Sequence, residues 1–268
     1  MNILTVRDLR ISVEAGIDLV SKVDLDLPAG ARLGILGESG SGKSLTALAI
    51  TRLLGPALHS YGSINFRGSE LLSVSEKEMC KIRGSKIAIV FQDPLSALDP
   101  LMTVGNQLSH PLSRYQGIKG NGMKVAVEGV LNEVKIANPK RVARSYPHEI
   151  SGGERQRVAL AMALACRPEV LIADEITTSL DVSIAAEVLE LLDLLVRTRN
   201  MSLIFISHDI STLSQIVDDA IVMHKGVVVE RGPLRELIRS PQDPYTKKLV
   251  ASAINLEKSL PVHGMRNF

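Results

Sequence analysis

Apolar and polar residues alternate along the first thirty positions of the chain, which predicts two half-exposed β-strands. The first alternation covers residues 3–13, and the second covers residues 20–27 and ends at a Pro-Ala-Gly turn. A period of two places successive side chains on opposite faces of a strand. Each of these strands is therefore expected to bury one face only.

The later strands are predicted as short apolar runs that alternate with helical segments. The run at 33–36 is bounded by glycine, as is typical of a strand buried on both faces. Further strands are predicted at 62–66, 86–91, 170–173, 203–206, 220–223 and 227–229, with helices at 43–54 and 184–196. Residues 93–165 are mostly helical in pattern. This order predicts an α/β core that carries a helical insertion.

The composition of the chain is that of an ordinary globular protein. Of 268 residues, 45% are hydrophobic and 22% are charged, which argues against disorder. With 31 basic and 29 acidic residues the net charge is +2, which gives no support for a nucleic-acid partner or a polybasic membrane patch. The two cysteines, Cys80 and Cys166, exclude a disulfide scaffold and a cysteine-based metal cluster.

No segment of the sequence predicts secretion or membrane insertion. The first ten residues lack a basic stretch followed by an apolar one, so we expect no secretory signal. The longest apolar run, residues 158–166, is far below the ~18 residues that a membrane-spanning helix requires. We therefore expect the chain to reach a membrane only by docking to another protein.

A phosphate-binding motif lies between the strand at 33–36 and the helix that follows it. Its residues fit G-x-x-x-x-G-K-[ST]: they are Gly37, Glu38, Ser39, Gly40, Ser41, Gly42, Lys43 and Ser44. The glycines let consecutive N–H groups surround a phosphate chain, and the positive end of the helix dipole adds to that field. Lys43 is expected to reach the β- and γ-phosphates and Ser44 to ligate Mg²⁺. The alternative, a simple Gly/Ser-rich turn, is disfavoured by the strand–loop–helix context.

An acidic pair, Asp174 and Glu175, ends the apolar strand at 170–173. A carboxylate at this end of a strand can hold the Mg²⁺ that Ser44 also contacts, which is the role predicted for Asp174. Since side chains alternate along a strand, Glu175 is expected to point elsewhere and to act as general base on an attacking water. The alternative is a solvated acidic pair at the start of a helix.

A second anion-binding helix start is predicted at Ser151, Gly152 and Gly153, ahead of an apolar helix. This helix start and the phosphate-binding loop at 37–44 (the P-loop) together resemble the ABC transporter ATPase family. The signature motif of that family is usually LSGGQ. Here Ile150 replaces the Leu and Glu154 replaces the Gln. Three further positions are similar to family motifs: Gln92 to the Q-loop glutamine, Asp181 with residues 179–180 to the D-loop, and His208 to the switch histidine.

The resemblance covers about residues 3–250 and implies a P-loop NTPase fold. It implies an α/β, RecA-like core with an antiparallel β-subdomain and a helical subdomain inserted at about 93–165, followed by a tail at 251–268. It implies ATP and Mg²⁺ as cofactors, with Ser44, Gln92 and Asp174 at the metal and Glu175, His208 and Gln92 in hydrolysis. It also implies that ATP lies between two chains, bound by residues 37–44 of one and by Ser151, Gly152, Gly153, Glu154 and Asp181 of the other.

Three stretches, at 91–100, 146–149 and 240–249, are similar to those of the oligopeptide, dipeptide and nickel importers. The resemblance implies a peripheral ATPase on the cytoplasmic face of the cell's inner membrane. Its implied partners are a second, identical or homologous ATPase chain, two permease subunits and, indirectly, an extracytoplasmic solute-binding protein. Peptide is the expected cargo and nickel the alternative. A soluble ABC ATPase acting on ribosomes or DNA is the rival class, which the length and the near-neutral charge disfavour.

Two positions depart from the pattern of that subfamily. Ile176 stands where a proline usually follows the catalytic glutamate, and we expect this to loosen the backbone while leaving Glu175 in place. Val13 stands where an aromatic residue usually stacks on adenine, and no aromatic residue or histidine precedes His59. We expect ATP binding to be correspondingly tolerant of the base.

Overall fold

The computed structural model describes residues 1–14, 16–93, 97–178 and 180–259. The chain divides into two compact units, one formed by Met1–Met79 with Ser202–Phe268 and the other by Cys80–Met201. Parts of three predicted features lie outside the described residues. These are residues 94–96 of the Q-loop stretch, Ser179 of the D-loop and residues 260–268 of the tail.

Strands and helices follow each other in an order typical of an α/β protein. In chain order the strands are β1 (Asn2–Val13), β2 (Asp18–Pro28), β3 (Arg32–Leu36), β4 (Leu58–Phe66), β5 (Ser69–Glu70), β6 (Ile87–Val90), β7 (Val170–Asp174), β8 (Ser202–Ser207), β9 (Asp219–His224) and β10 (Val227–Pro233). The helices among the described residues are α1 (Lys43–Ile50), α2 (Glu76–Ile82), α3 (Val104–Gln116), α4 (Gly122–Glu133), α5 (Pro139–Arg144), α6 (Gly152–Ala165), α7 (Val182–Thr198), α8 (Ile210–Ser214), α9 (Leu234–Arg239) and α10 (Pro244–Ser259).

An antiparallel sheet occupies the first part of the first unit. Its strand order is β2-β1-β4-β5, with β1 paired to β2 on one side and to β4 on the other. Leu4, Val6, Leu9 and Ile11 of β1 are all fully buried, whereas charged residues between them are exposed. The Leu4–Val6 and Leu9–Ile11 pairs are out of step with a strict alternation. A register shift between Val6 and Leu9, with Asp8 at a φ of 48°, allows both pairs to be buried in this sheet.

Four further strands of the first unit form a sheet in the order β10-β9-β3-β8. Strands β8 and β9 run parallel to β3, and β10 returns antiparallel to β9. The β9–β10 turn contains Lys225 and Gly226, whose φ angles of 48° and 82° are those of a tight hairpin turn. Strand β8 is buried along its whole length, as expected for a short apolar run in a parallel sheet.

The second unit combines a parallel strand pair with a group of helices. Strand β6 pairs with β7 in a register that runs from Ile87↔Val170 to Val90↔Ala173. Helices α3, α4, α5 and α6 pack against one another within the stretch predicted to be helical. At Gly105 of α3, an added Cβ would lie 2.7 Å from the carbonyl oxygen of Ala143, so glycine permits the close approach of α3 and α5.

The ends of α1 and α10 differ from what the sequence predicts. Helix α1 ends at Ile50 rather than residue 54, because Arg52 adopts a left-handed φ of 50° that terminates the helix. Helix α10 continues to Ser259, so helical structure crosses the boundary at residue 250 where the tail was expected to begin. No helix of the described residues has the length and apolar character needed to cross a membrane.

Phe205, at the centre of β8, is the largest of the fully buried side chains. We expect Phe205→Ala to lower the free energy of unfolding by about 3–5 kcal/mol, because it removes buried apolar area and leaves a cavity. Urea denaturation measures this loss. Tyr61→Phe is the control, since Tyr61 is 47% exposed, and its effect should stay within about 0.5 kcal/mol. Equal losses in both variants would contradict this placement of Phe205.

Candidate functional site

The loop between β3 and α1 closes around the amine of Lys43. The Lys43 Nζ donates to the carbonyl oxygen of Gly37 at 2.8 Å and to that of Glu38 at 3.0 Å. Lys43 is only 4% exposed, so its charge is held inside the loop. A buried ammonium ion held by carbonyl oxygens in such a loop favours the arrival of an anionic ligand.

Glycines allow this loop to pack tightly on one side while it remains open on the other. An added Cβ at Gly37 would lie 2.3 Å from the Met223 carbonyl oxygen, and one at Gly42 would lie 2.8 Å from Cγ2 of Val20. At Gly40, by contrast, nothing lies within 4 Å. Gly40 and Gly42 also have left-handed φ angles of 79° and 99°. The loop is thus supported by β2 and β9 and presents an open side near Gly40.

The chemistry of the loop fits a polyphosphate. Gly42 occupies the N-cap of α1 and no side chain caps the helix, so its first N–H groups and the positive end of its dipole are available to an anion. The buried hydroxyl of Ser41 has no hydrogen-bond partner among the described residues. Ser44, in the first turn of α1, is exposed. These groups match what an ATP-binding loop requires.

The register of two parallel strands places His208 on the same edge of the sheet as the P-loop. Leu36, the last residue of β3, pairs with Ser207, the last residue of β8. Gly37 and His208 therefore follow directly from neighbouring strand ends. The carboxylate of Asp209 accepts two N–H groups of α8 at 3.0 and 3.1 Å, which fixes the backbone that carries the exposed His208.

In the second unit, the parallel pairing of β6 with β7 brings three predicted site residues to one strand edge. Val90 pairs with Ala173, so Gln92 and the Asp174–Glu175 pair both lie just beyond the paired ends. Gln92 is exposed, whereas Asp174 is only 6% exposed. A buried carboxylate beside an exposed amide provides two hard oxygen ligands of the kind that Mg²⁺ prefers.

Glu175 is not part of β7, so the alternation of side chains along a strand does not set its direction. Its φ is 48°, which is left-handed, and its carbonyl oxygen accepts the N–H of Thr178 at 3.2 Å. The Thr178 hydroxyl also donates to the Glu175 carboxylate at 3.3 Å. Ile176 is 1% exposed. Ile176 thus lies with its side chain buried inside the closed turn that holds Glu175, and the looser backbone expected there stays a prediction.

The signature stretch begins α6 with a reciprocal cap. The Ser151 hydroxyl accepts the N–H of Glu154 at 3.2 Å, and the Glu154 carboxylate accepts the N–H of Ser151 at 3.0 Å. The Glu154 carboxylate also pairs with Arg141. Since the Ser151 oxygen accepts in this cap, its own proton remains able to reach a phosphate oxygen. Arg141 offsets the negative charge that Glu154 would otherwise present to a phosphate.

Asp181 lies close to this helix start in the second unit. An added Cβ at Gly153 would lie 2.9 Å from Cγ2 of Ile184, in the first turn of α7. Asp181 is the exposed N-cap residue of α7, and its carbonyl oxygen accepts the N–H of Ala185 at 2.8 Å. Close packing at Gly153 thus brings the signature stretch and Asp181 to the same side of the unit, with Gly152 half-buried beside them.

Sequence reasoning missed part of the support for the P-loop. The N–H of Glu38 donates to the hydroxyl of Tyr245 at 2.9 Å, across 207 positions of sequence. The N–H of Gly226 donates to the Ser41 carbonyl oxygen at 3.1 Å. The stretch that contains Tyr245 is noticeable in the sequence only as a subfamily resemblance, because no local pattern predicts so distant a partner.

Comparison with characterised families and proteins finds relatives that are ATP-binding proteins of transporters. The family model described as ABC transporter matches residues 20–178. The oligopeptide transport ATP-binding protein OppD of Bacillus subtilis (strain 168) is 42% identical over 262 residues, which are 96% of this chain and 73% of that protein. The dipeptide transport ATP-binding protein DppD of the same strain is 41% identical, over 95% and 78% of the two chains. The glutathione import ATP-binding protein GsiA of Escherichia coli (strain K12) is 39% identical, but this chain spans only 42% of it.

Solved structures agree with the family match. A structure of cbiO1 from Clostridium perfringens, part of the ABC transporter complex cbiONQ, has a TM-score of 0.76 at 28% identity, covering 95% of each chain. A dimeric bacterial ABC transporter cassette has a TM-score of 0.77 at 28% identity, covering 87% of this chain and 99% of its own. That cassette is also known in a dimeric post-hydrolysis state bound to ADP and Pi. With a family model matched over more than half of its length and relatives above 40% identity along nearly all of it, the chain belongs to the ABC transporter family and is an ATP-binding, ATP-hydrolysing member of it.

Proposed function

We propose that this ATPase powers an importer of peptides. The observation that carries the proposal is the 42% identity to OppD across 96% of the chain, a relative named for oligopeptide transport. The identity of 41% to DppD, named for dipeptide transport, supports the same class of cargo. The relatives share this cargo chemistry, whereas the solved structures support the ATPase fold.

The ATP phosphates are bound by the loop at 37–44. Lys43 directs an N–H of its ammonium group at phosphate oxygens while the Gly37 carbonyl continues to hold it, and the N-terminus of α1 adds its dipole. Ser44, Gln92 and Asp174 would hold Mg²⁺, because their hydroxyl, amide and carboxylate oxygens suit a hard cation. When bound, this ion neutralises the charge that develops on the transferred phosphoryl group.

Glu175 acts as the general base for hydrolysis. Its carboxylate accepts the proton of the attacking water, whose oxygen forms a bond to the γ-phosphorus as the bond to the ADP oxygen breaks. The closed turn with Thr178 holds this carboxylate at the strand end. His208 and Gln92 are proposed to orient the water and the γ-phosphate oxygens.

The signature stretch serves the ATP of a second chain. Ser151, Gly152 and Gly153 form a helix start that is suited to a γ-phosphate, with Ser151 exposed, Gly152 half-buried and Gly153 buried. Glu154 and Asp181 support it. One chain thereby contributes two different phosphate-binding surfaces, which is what a sandwich of two ATPase chains requires. The dimeric state of the related cassette supports this arrangement.

The remaining partners follow from the same family. We propose that the chain acts with a second, identical or homologous ATPase chain, binds two permease subunits at the cytoplasmic face of the inner membrane, and is served indirectly by an extracytoplasmic solute-binding protein. Co-expression with the permeases should bring the chain to the membrane fraction. A chain that stays in the soluble fraction and sediments with ribosomes would contradict the proposal.

A transport assay tests the cargo. Membrane vesicles that carry the reconstituted complex should accumulate a labelled oligopeptide when MgATP is supplied. Labelled Ni²⁺ in parallel vesicles should not accumulate above a control without ATP. Uptake of Ni²⁺ without uptake of peptide would replace the peptide proposal by the nickel alternative and leave the ATPase assignment intact.

Glu175→Gln should preserve ATP binding and lower turnover by about 10²–10⁴-fold, because the amide cannot accept the water proton. Dimers should accumulate in ATP, as measured by size-exclusion chromatography. Glu190→Gln, at an exposed position of α7, is the matched control and should hydrolyse ATP normally. A Glu175→Gln protein that retains most of its turnover would rule out Glu175 as the base.

Ser151→Arg should abolish hydrolysis while nucleotide binding to the isolated monomer changes little, because the bulky side chain blocks a site that acts on the other chain's ATP. Asn121→Arg, at the exposed N-cap of α4, places the same side chain at a helix start with no proposed ligand. That control should remain active. Loss of monomer binding in Ser151→Arg would show that the stretch acts within its own chain.

The base-binding end of the site is built from aliphatic residues. Val13 ends β1, and its N–H donates to the carbonyl oxygen of Ile17 at 3.1 Å across the β1–β2 turn. Ile17 is 63% exposed and Leu19 is also exposed. The next residue, Val20, contacts the P-loop at Gly42. The hairpin therefore offers aliphatic rather than aromatic area close to the phosphate loop.

We expect GTP to compete with ATP within about an order of magnitude, because aliphatic contact lacks the ring geometry worth about 0.5–1.5 kcal/mol. Val13→Tyr should tighten ATP binding about two- to tenfold. Competition with a fluorescent ATP analogue measures both effects. A strong preference for ATP in the unaltered chain, together with no gain from Val13→Tyr, would show that another group holds the base.

A further inference from the structure

The first turn of α10 reaches back to the P-loop through Tyr245. The Tyr245 hydroxyl lies 2.9 Å from the backbone nitrogen of Glu38 and accepts its N–H. The ring of Tyr245 lies against His224, with 3.9 Å between centroids and 30° between planes. His224 ends β9, the strand whose Met223 carbonyl packs behind Gly37. Two contacts therefore fix the phenol beside the loop.

The peptide unit between Gly37 and Glu38 is held from both of its sides. Its carbonyl oxygen, which belongs to Gly37, accepts the Lys43 amine at 2.8 Å. Its N–H, which belongs to Glu38, is the group that donates to Tyr245. Because a trans peptide is planar, its carbonyl and N–H point in opposite directions. Tyr245 thus sets the rotation of the same peptide plane that holds the phosphate-binding lysine.

The turn that carries Tyr245 is anchored independently of the P-loop. The N–H of Tyr245 donates to the Asp243 carboxylate at 2.8 Å. The Glu230 carboxylate of β10 accepts the N–H groups of Gln242 at 2.8 Å and Asp243 at 3.1 Å. Burial acts to raise the pKa of Glu230, but the hydrogen bonds from these two amides and the positive charge of Lys247 act against it, and the net effect is a lowered pKa. The ionised carboxylate therefore holds the start of α10 against β10.

The phenol is kept in the form that suits an anion-binding loop. Burial chiefly raises the pKa of Tyr245, the Glu38 carboxylate raises it further, and the N–H bond from Glu38 opposes them. The hydroxyl therefore stays protonated at neutral pH. A neutral oxygen accepts the Glu38 N–H without placing a negative charge beside the site of the ATP phosphates.

We propose that Tyr245 is a positioning residue for ATP binding, which fixes the Gly37–Glu38 peptide and thereby the Lys43 amine. Because Tyr245 lies in the first turn of α10, correct folding of that turn is linked to the affinity of the P-loop for nucleotide. The inference rests on the ATPase activity of the family and is independent of the cargo. A failed peptide-transport assay would leave it standing.

A second contact of α10 with the loop is a weaker candidate for this link. Lys248 lies 3.9 Å from the Glu38 carboxylate, and both side chains are largely exposed. Exposed ion pairs of this kind contribute little and are screened by salt. Lys248→Ala should therefore leave the ATP dissociation constant unchanged within about twofold.

The test is Tyr245→Phe in the full chain, which removes the hydroxyl and keeps the ring beside His224. The dissociation constant of MgATP and its KM should both rise about two- to tenfold, the worth of one neutral hydrogen bond. The kcat at saturating ATP should stay within about twofold, since the lost contact serves binding. Tyr61→Phe, which removes an exposed hydroxyl from β4, should change neither quantity.

A double-substitution cycle separates positioning from general stabilisation. Glu38→Pro removes the same N–H from the loop side, because proline has no amide hydrogen. In a chain that already carries Glu38→Pro, adding Tyr245→Phe should alter the MgATP dissociation constant by less than about 1.5-fold. An equal loss in both backgrounds would overturn the proposal.

Two results with Tyr245→Phe alone would also overturn it. One is an unchanged dissociation constant together with a lowered melting temperature of the nucleotide-free protein, which would indicate a purely structural contact. The other is tighter MgATP binding, which would mean that the hydroxyl competes with phosphate for the Glu38 N–H. These outcomes decide the question even if the Glu38→Pro chain does not fold.

Discussion

The parallel pairing of β3 with β8 and β9 is the constraint on which the phosphate end of the first unit depends. Leu36 pairs with both Ser207 and Val222, so β3 and β8 end at one level and β9 runs two residues further, to His224. Whatever follows these strand ends must share the same edge of the sheet. The P-loop follows β3 and His208 follows β8, while the end of β9 packs behind the loop.

In the second unit, a single pair of parallel strands likewise brings polar residues together at the strand ends. The β6–β7 register delivers Gln92 and the Asp174–Glu175 pair to one edge, and the cap at Ser151 begins the helix that carries the signature stretch. Each unit therefore displays polar groups where backbone hydrogen bonding stops. These groups, whether exposed like Gln92 or largely buried like Asp174, lie at the ends of the apolar strands rather than among their buried side chains.

The charged groups near the P-loop and near the signature stretch each have close polar or charged partners. Lys43 is buried among carbonyl oxygens, Glu154 is paired with Arg141, and Glu230 is bonded by amides. Each set of partners lowers the cost of holding the charged group in the protein. The neutral Tyr245 hydroxyl adds no negative charge beside the P-loop, whereas a phenolate there would repel the nucleotide.

The sequence by itself determined the element types, the P-loop and the family, because periodicity, glycine spacing and motif order are local signals. It also led to the site residues, from Gly37 to His208, through their resemblance to the family. Only the tertiary structure decided how Glu175 is held, since a left-handed φ and the turn closed by Thr178, rather than strand alternation, set its position. It alone joined Tyr245 to Glu38, because a hydrogen bond between residues 207 positions apart depends on how β9, β10 and α10 pack behind the loop.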